Sequence, residues 1–247
     1  MINPMDLTGK HILITGGSSG IGRQCAIQAS RLGARVSVIA RREEDLKETV
    51  AMMDRPEEHA YFVADLSETD TIEELVKSIV AQRGAVDGFC HAAGIATVRT
   101  LKMSKPAFIE KMFRLNTFAF IELVRCLTAK DRMNDGGSLV GISSSAAENG
   151  NVSQGAYGAS KAAMNGFLHP AAKELNVRRI RVNTVAFAMV DTPMFQEFLD
   201  NGGNVELMKA QELGTIDVES AANAVMFLLS DAARYITSAV LPVYAGC

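Results

Sequence analysis

Short apolar runs alternate with longer amphipathic stretches along the chain. His11–Thr15, Arg35–Ala40, Ala60–Ala64, Gly88–His91, Ser138–Ile142, Arg181–Ala186 and Ala239–Val243 read as strands. Between them, segments near 20–32, 43–53, 69–82, 105–130, 155–176 and 217–229 carry apolar residues at helical spacing. The strand runs are nearly continuous in apolar character, as expected where both faces of a sheet are covered. Strands alternating with helices of this length predict βαβ crossovers. The expected fold is therefore α/β: a seven-stranded parallel sheet, doubly wound, with helices on both faces. No Pro/Ser-rich linker, repeat or low-complexity tract interrupts the pattern, so residues 1–247 read as a single domain. Pro170 falls inside the 155–176 helix and predicts a kink, eased by the absent side chain of Gly166.

Composition narrows the picture by exclusion. The chain has 247 residues, 48% hydrophobic and 21% charged, an ordinary globular composition of one-domain size. A net charge of −3 gives no basis for a nucleic-acid or anionic-membrane surface. No signal-peptide pattern follows Met1, and no apolar run approaches the ~18 residues of a membrane span. Cys25, Cys90, Cys126 and Cys247 form no CxxC pair and lack metal-site spacing, so no metal is expected. The first three sit in apolar contexts as core thiols, which suits a reducing cytoplasm.

Chemistry concentrates in three residues. Tyr157 and Lys161 are four apart and share a helix face, and Ser144 precedes Tyr157 by thirteen. A free phenol, with a pKa near ~10, is a poor acid–base catalyst at neutral pH. A fixed ammonium beside it favours the phenolate, and bringing the pKa to about 7 takes about 4 kcal/mol of differential stabilisation. Ser144 would hold a carbonyl oxygen while Tyr157 exchanges a proton with it. Alone the Tyr/Lys pair is weak, because such pairs meet on many exposed helices by chance.

A dinucleotide signal accompanies it. Thr15-Gly16-Gly17-Ser18-Ser19-Gly20-Ile21-Gly22 follows the first strand and opens a helix. Glycines there let the backbone approach a pyrophosphate, and the helix N-terminus supplies amide donors. Where an NAD site usually carries an acid, at the end of the second strand, this chain has Ala40-Arg41-Arg42. Two guanidiniums suit a 2′-phosphate and favour NADP(H) over NAD(H). The alternative is a solvated turn balanced by Glu43 and Glu44. Asp65 is placed to accept from the adenine amino group, or to serve as an acid at a helix start.

Together these pieces resemble the short-chain dehydrogenase/reductase family, across essentially the whole chain and in particular its 3-oxoacyl-(acyl-carrier-protein) reductase-like members. The matching residues are Thr15 to Gly22, Asp65-Leu66, Ala93-Gly94, Asn116, Ser144, Tyr157, Lys161, Asn183 and Asp191-Thr192. The resemblance implies a Rossmann-type fold, with cofactor contacts at Gly16, Ser18, Ser19, Gly20, Ile21, Gly22, Asp65, Leu66, Ala93 and Gly94. It makes Tyr157 the general acid/base, with Lys161 lowering its pKa and binding the nicotinamide ribose. Ser144 orients the substrate carbonyl, and Asn116 anchors a water of the proton relay. Val190 and Thr192 hold the nicotinamide carboxamide, unless Thr192 is only the N-cap before Pro193. Family spacing selects Ser144 over Ser143 and Ser145.

The chain departs from that pattern in places. Asn-Asn-Ala-Gly reads His91-Ala92-Ala93-Gly94, so His91 is either a substitute donor near the adenosine ribose or a buried structural histidine. Pro-Gly after the sixth strand reads Phe187-Ala188, which reshapes the turn beside the nicotinamide. Residues 187–214 form the expected substrate loop. There Met189, Met194, Phe195, Phe198, Leu199, Leu207 and Met208 suit an apolar or mixed carbonyl substrate, with Asn201-Gly202-Gly203-Asn204 interrupting; the alternative is a helix packed on the body. Arg178 and Arg179 offer a surface to an acyl-carrier protein, or are plain solvated charge. Helices 105–130 and 155–176 resemble those that pair across subunits, giving a homotetramer or a dimer. The expected activity is reversible NADP(H)-dependent reduction of a ketone. The substrate classes are a 3-oxoacyl thioester first and a sugar or secondary-metabolite ketone second. A non-catalytic NADP(H) sensor is the competing reading.

Overall fold

The computed structural model describes residues 3–200 and 210–247. Seven strands form one sheet: β1 His11–Thr15, β2 Arg35–Ala40, β3 Ala60–Val63, β4 Val86–His91, β5 Met133–Ser144, β6 Arg181–Phe187 and β7 Val240–Val243. They are all parallel, in the order β3-β2-β1-β4-β5-β6-β7. The helices are α1 Gly20–Arg31, α2 Glu43–Ala51, α3 Ile72–Arg83, α4 Pro106–Phe113, α5 Ala119–Leu127, α6 Ala146–Asn149, α7 Gly155–Leu175, α8 Pro193–Asp200 and α9 Val218–Leu229.

Strand order reverses direction between β1 and β4. Crossovers therefore leave the sheet on opposite sides there, and a crevice opens at the carboxyl ends of these strands, where ligands bind in doubly wound sheets. Alternation along the strands assigns two cores. Ile12, Ile14, Val36, Val38, Cys90, Val140, Ile142 and Val185 pack under α1 and α9. Leu13, Ile39, Phe89, Leu139 and Val182 pack under α3, α5 and α7. Both faces are buried, which is why the strands read as continuous apolar runs. Cys25, Cys90 and Cys126 are free thiols within these cores, and Cys247 is exposed.

Two elements differ from the periodicity. The expected helix 105–130 is three pieces, because a π turn over Arg114–Phe118 separates α4 from α5. Its widened i→i+5 turn puts Asn116, fully buried, against α7. Strand β5 is longer than expected: its register jumps between Val86 and Gly88, and Gly136 absorbs the irregularity with φ of 79°. Helix α7 runs from 155 to 175 with Pro170 inside it, and both Pro170 and Gly166 lie on its exposed face. The carbonyl that Pro170 leaves unpaired thus lies where water reaches it. Among the described residues no helix is long and apolar enough to cross a membrane.

Candidate active site

The turn after β1 is a cradle that only glycine permits. Gly16 sits at φ 67°, and a Cβ there would lie 2.7 Å from the Ala92 backbone. A Cβ on Gly22 would lie 2.3 Å from the Gly16 carbonyl, so α1 starts pressed against the turn. Ser19, the N-cap, makes no side-chain capping bond, so its hydroxyl does not occupy the first amides of α1. Two residues that the sequence did not single out brace this turn. Thr49 on α2 donates to the Gly17 carbonyl at 2.8 Å, and Arg23 donates to the Ser18 carbonyl at 2.7 Å. A cradle closed to side chains, at a helix N-terminus, fits a pyrophosphate.

At the end of β2 the two arginines part company. Arg42 is ion-paired with Asp45. Glu43 and Glu44, which the sequence offered as the balancing acids, turn to Lys47 at 3.2 and 2.9 Å. No described ion pair holds Arg41, whose charge is felt by Asp65. One Asp65 oxygen is already committed, accepting from the Ser67 amide at 2.9 Å and its hydroxyl at 2.7 Å. Those bonds hold the carboxyl below its usual pKa and leave one oxygen for a ligand. Leu66 beside it is 3% exposed and belongs to the core.

Deeper in the crevice, Ser144 ends β5, and its hydroxyl, which accepts from the Ala146 amide at 3.2 Å, lies near enough to the Tyr157 phenol to favour its ionised form. Ser143 is buried, and Ser145 starts α6, so Ser144 is the hydroxyl that meets the phenol. The Phe187 carbonyl accepts from the Ser145 amide at 2.8 Å and fixes the strand end. Lys161 is 5% exposed, donates to the Ile142 carbonyl at 2.7 Å, and lies 6.0 Å from the centre of the Tyr157 ring. Burial lowers the Lys161 pKa to about 8. Burial also raises the Tyr157 phenol, and the neighbouring Ser144 hydroxyl takes back only part of that. Lys161 thus does not bring the phenol below its ordinary value. Desolvation outweighs a charge that is spent on a carbonyl and stands several ångströms off.

Asn116 is placed against this group, but its amide is occupied. Oδ1 accepts from the Ile95 amide at 2.9 Å, and Nδ2 donates to the Ile95 carbonyl and the Ser160 hydroxyl, each at 3.0 Å. Ser160 in turn donates to the Tyr157 carbonyl at 2.7 Å. The side chain therefore braces the loop after β4 against α7. A Cβ at Gly94 would lie 3.1 Å from Asn116 Oδ1 and 3.5 Å from Lys161 Nζ, which shows how tightly that loop closes on the lysine.

His91 proves structural. It is fully buried, with its pKa lowered to about 3, first by desolvation and then by Lys161. A neutral ring with hydrogen on Nε2 donates to the Leu115 carbonyl at 3.3 Å and accepts from the Thr15 hydroxyl at 3.0 Å. Thr15 in turn accepts from the Ala93 amide at 3.2 Å. The glycine turn, the loop after β4 and the π turn thus share one hydrogen-bonded chain. Gly158 was also missed: a Cβ there would lie 2.3 Å from the Ala146 carbonyl. Its signal, a glycine inside a helix next to the candidate tyrosine, was available in the sequence.

A parallel sheet of this order with a glycine cradle at its switch point matches known proteins closely. The family model described as Enoyl-(Acyl carrier protein) reductase covers residues 16–247. The chain belongs to the short-chain dehydrogenase/reductase family. A 3-oxoacyl-[acyl-carrier-protein] reductase of Thermotoga maritima is 30% identical over 244 residues, 98% of this chain and 99% of that one. An L-xylulose reductase of Caenorhabditis elegans is 31% identical over 249 residues, 98% and 96% of the two chains. Among solved structures, a blue fluorescent protein from a metagenomic library in complex with NADPH aligns over 98% of each chain, with a TM-score of 0.88 and 28% identity.

In this short-chain dehydrogenase/reductase the stretch after β6 departs from expectation. Phe187 is 3% exposed and points into the core under α1 and α9, away from the crevice. Thr192 caps α8, accepting from the Phe195 amide at 3.2 Å while donating to the Val190 carbonyl at 3.3 Å. A Cβ on Gly20 would lie 3.3 Å from its methyl, so Thr192 abuts the cradle. Phe195 is 8% exposed and stacks on Phe198, so this side of α8 packs on the body. Met194 is exposed, and Asn201-Gly202-Gly203-Asn204, Leu207 and Met208 lie outside the described residues. Asp191, Thr192, Pro193, Gln196, Glu197 and Asp200, three of them acidic, line an open cavity of about 580 Å³.

Arg178 is not a free docking cation. Its guanidinium bonds Asp135 at 2.7 Å, the Thr128 carbonyl at 2.8 Å and the Met133 carbonyl. It also sits at the amino end of β5, whereas Ser144 is at the carboxyl end; Ser138 to Ser144 alone spans about 20 Å.

Proposed function

We propose that the protein is a single-domain NADP(H)-dependent oxidoreductase that moves hydride between nicotinamide C4 and the carbon of a ketone or secondary alcohol. The observation that carries this is the Ser144 hydroxyl beside the Tyr157 phenol, with Lys161 6.0 Å from the ring centre and the glycine cradle in the same crevice. The bound nicotinamide supplies or takes the hydride. Gly16, Ser18, Ser19, Gly20, Ile21 and Gly22 would hold its pyrophosphate, with Asp65, Ala93 and Gly94 along the adenosine and ribose side. Lys161 would take the nicotinamide ribose, and Val190 with Thr192 the carboxamide. Arg41, held by no ion pair among the described residues and with no carboxylate beside it on β2, supports NADP(H), and the neighbour solved with NADPH supports the same preference.

In reduction, Ser144 donates to the substrate carbonyl oxygen and Tyr157 gives it a proton as charge develops there. A phenol held above its ordinary pKa is protonated at neutral pH and ready for that direction. Relatives named for 3-oxoacyl-carrier and for L-xylulose reduction support a 3-oxoacyl thioester as the first substrate class and a sugar ketone as the second. Phe118, 48% exposed at the head of α5, supports pairing of this helix with a second copy in a dimer or tetramer. Buried unpaired thiols suit a reducing cytoplasm.

The test is NADPH oxidation against a panel of β-ketoacyl thioesters, ketoses, steroids and quinones. Tyr157→Phe is expected to keep NADPH binding and lose turnover by about 10²–10⁴-fold. A variant that turns over as fast as the parent would remove the assignment.

A further inference from the structure

The chain leaves β6 for α8 and returns through residues 210–216, and one side chain joins the two ends. Gln211 is 4% exposed. Its Oε1 accepts from the Met189 amide at 2.8 Å, while Nε2 donates to the Met189 carbonyl at 3.2 Å and the Gly214 carbonyl at 3.1 Å. A primary amide carries the same donor and acceptor as a peptide group, so Gln211 adds a rung to a short parallel pair. The rest of that pair is backbone: the Ile216 amide donates to the Met189 carbonyl at 3.1 Å, and the Asp191 amide donates to the Ile216 carbonyl at 2.8 Å. Leu213 ties the returning segment to Ala245 at 3.0 Å.

Immediately beyond this rung come Val190, 6% exposed, and Thr192, whose methyl faces Gly20 of the cradle. Phe187-Ala188 carries no proline to stiffen the turn at this point, and the Gln211 amide holds Met189 at both backbone groups instead. We propose that Gln211 is a positioning residue for the nicotinamide half of the cofactor, clamping Met189 so that Val190 and Thr192 stand against the glycine turn. This rests on the nicotinamide-cofactor reading above. It predicts an effect confined to one half of the ligand, since the adenosine half meets Arg41 and the cradle, which Gln211 does not touch.

The experiment is calorimetric titration of the parent, Gln211→Leu and Gln211→Glu with NADP⁺ and with adenosine 2′,5′-bisphosphate, which lacks the nicotinamide. Gln211→Leu keeps the volume and loses three hydrogen bonds. Its NADP⁺ dissociation constant should rise at least about tenfold, with the bisphosphate constant unchanged within about twofold. Gln211→Glu keeps the acceptor and regains a donor only when protonated. Burial raises such a carboxyl, so NADP⁺ affinity should recover as pH falls from 8.5 to 5.5, with no matching change in the bisphosphate. That variant decides the matter if Gln211→Leu does not fold. Equal loss of both ligands, or loss of neither, would overturn the positioning role. A parent that binds the bisphosphate but not NADP⁺, or binds neither, would instead remove the cofactor reading on which it stands.

Discussion

The Lys161 ammonium lies 6.0 Å from the centre of the Tyr157 ring and gives a hydrogen bond to the Ile142 carbonyl. Lysine and phenol are therefore neighbours that burial pushes toward neutrality, the lysine down to about 8 and the phenol up. At pH 7 both carry their protons. As pH rises through 8, Lys161 loses its charge first, while Tyr157 still holds its proton. The kcat/KM for ketone reduction should be level from pH 6 to 7.5 and fall with an apparent pKa near 8, a value belonging to the free enzyme. A profile level to pH 9.5 would contradict the burial of Lys161.

Gly158→Ala should separate placement of Tyr157 from binding. The added methyl would meet the Ala146 carbonyl at 2.3 Å, and that oxygen is rigid backbone, so α7 must move away from α6. Turnover should fall at least about tenfold, since misplacement by an ångström is costly, and NADPH affinity should fall less, because Lys161 moves with this helix while the glycine cradle does not. Steady-state kinetics beside a fluorescence titration reads both.

The two arginines at the end of β2 should differ. Arg41→Ala is expected to raise the NADPH KM at least about tenfold and leave NADH alone, because a charge-assisted phosphate contact is lost. Arg42→Ala removes an exposed pair with Asp45 and should matter by less than about threefold. Equal effects of both variants would refute the division.

Thr49→Val removes the donor that holds the Gly17 carbonyl and keeps the side chain's shape. An unsatisfied buried carbonyl costs about 1–3 kcal/mol, so the midpoint of urea unfolding should drop. Saturating NADPH should restore part of the loss if the cradle binds it.

His91 gives acid stability a sign. Its folded pKa of about 3 lies below the ordinary 6.5, so the unfolded chain binds more protons between those values. Stability is fully present above pH 6.5 and is lost as pH falls toward 3, by on the order of 5 kcal/mol from this group. His91→Asn should flatten that part of the urea-midpoint profile against pH; an unchanged slope would show that the ring is not buried neutral.

What was legible in the sequence was local. The strands and helices follow from runs of Val, Ile and Leu and from helical spacing, signals that need no partner, and their alternation leaves few ways to build a sheet. The glycine cradle and the Tyr157/Lys161 pair also lie within single segments, so their proximity was fixed by spacing alone. The tertiary structure decided how those groups are used, because each use depends on residues far away in the chain. Asp135 and two carbonyls take Arg178, and Ile95 and Ser160 fill the Asn116 amide. Gln211 meets Met189 across 22 residues, and no periodicity reports a single side chain bonding to distant backbone. The acidity of Tyr157 belongs to the same class: spacing brought the ammonium near, but desolvation by the whole fold sets the balance between phenol and phenolate.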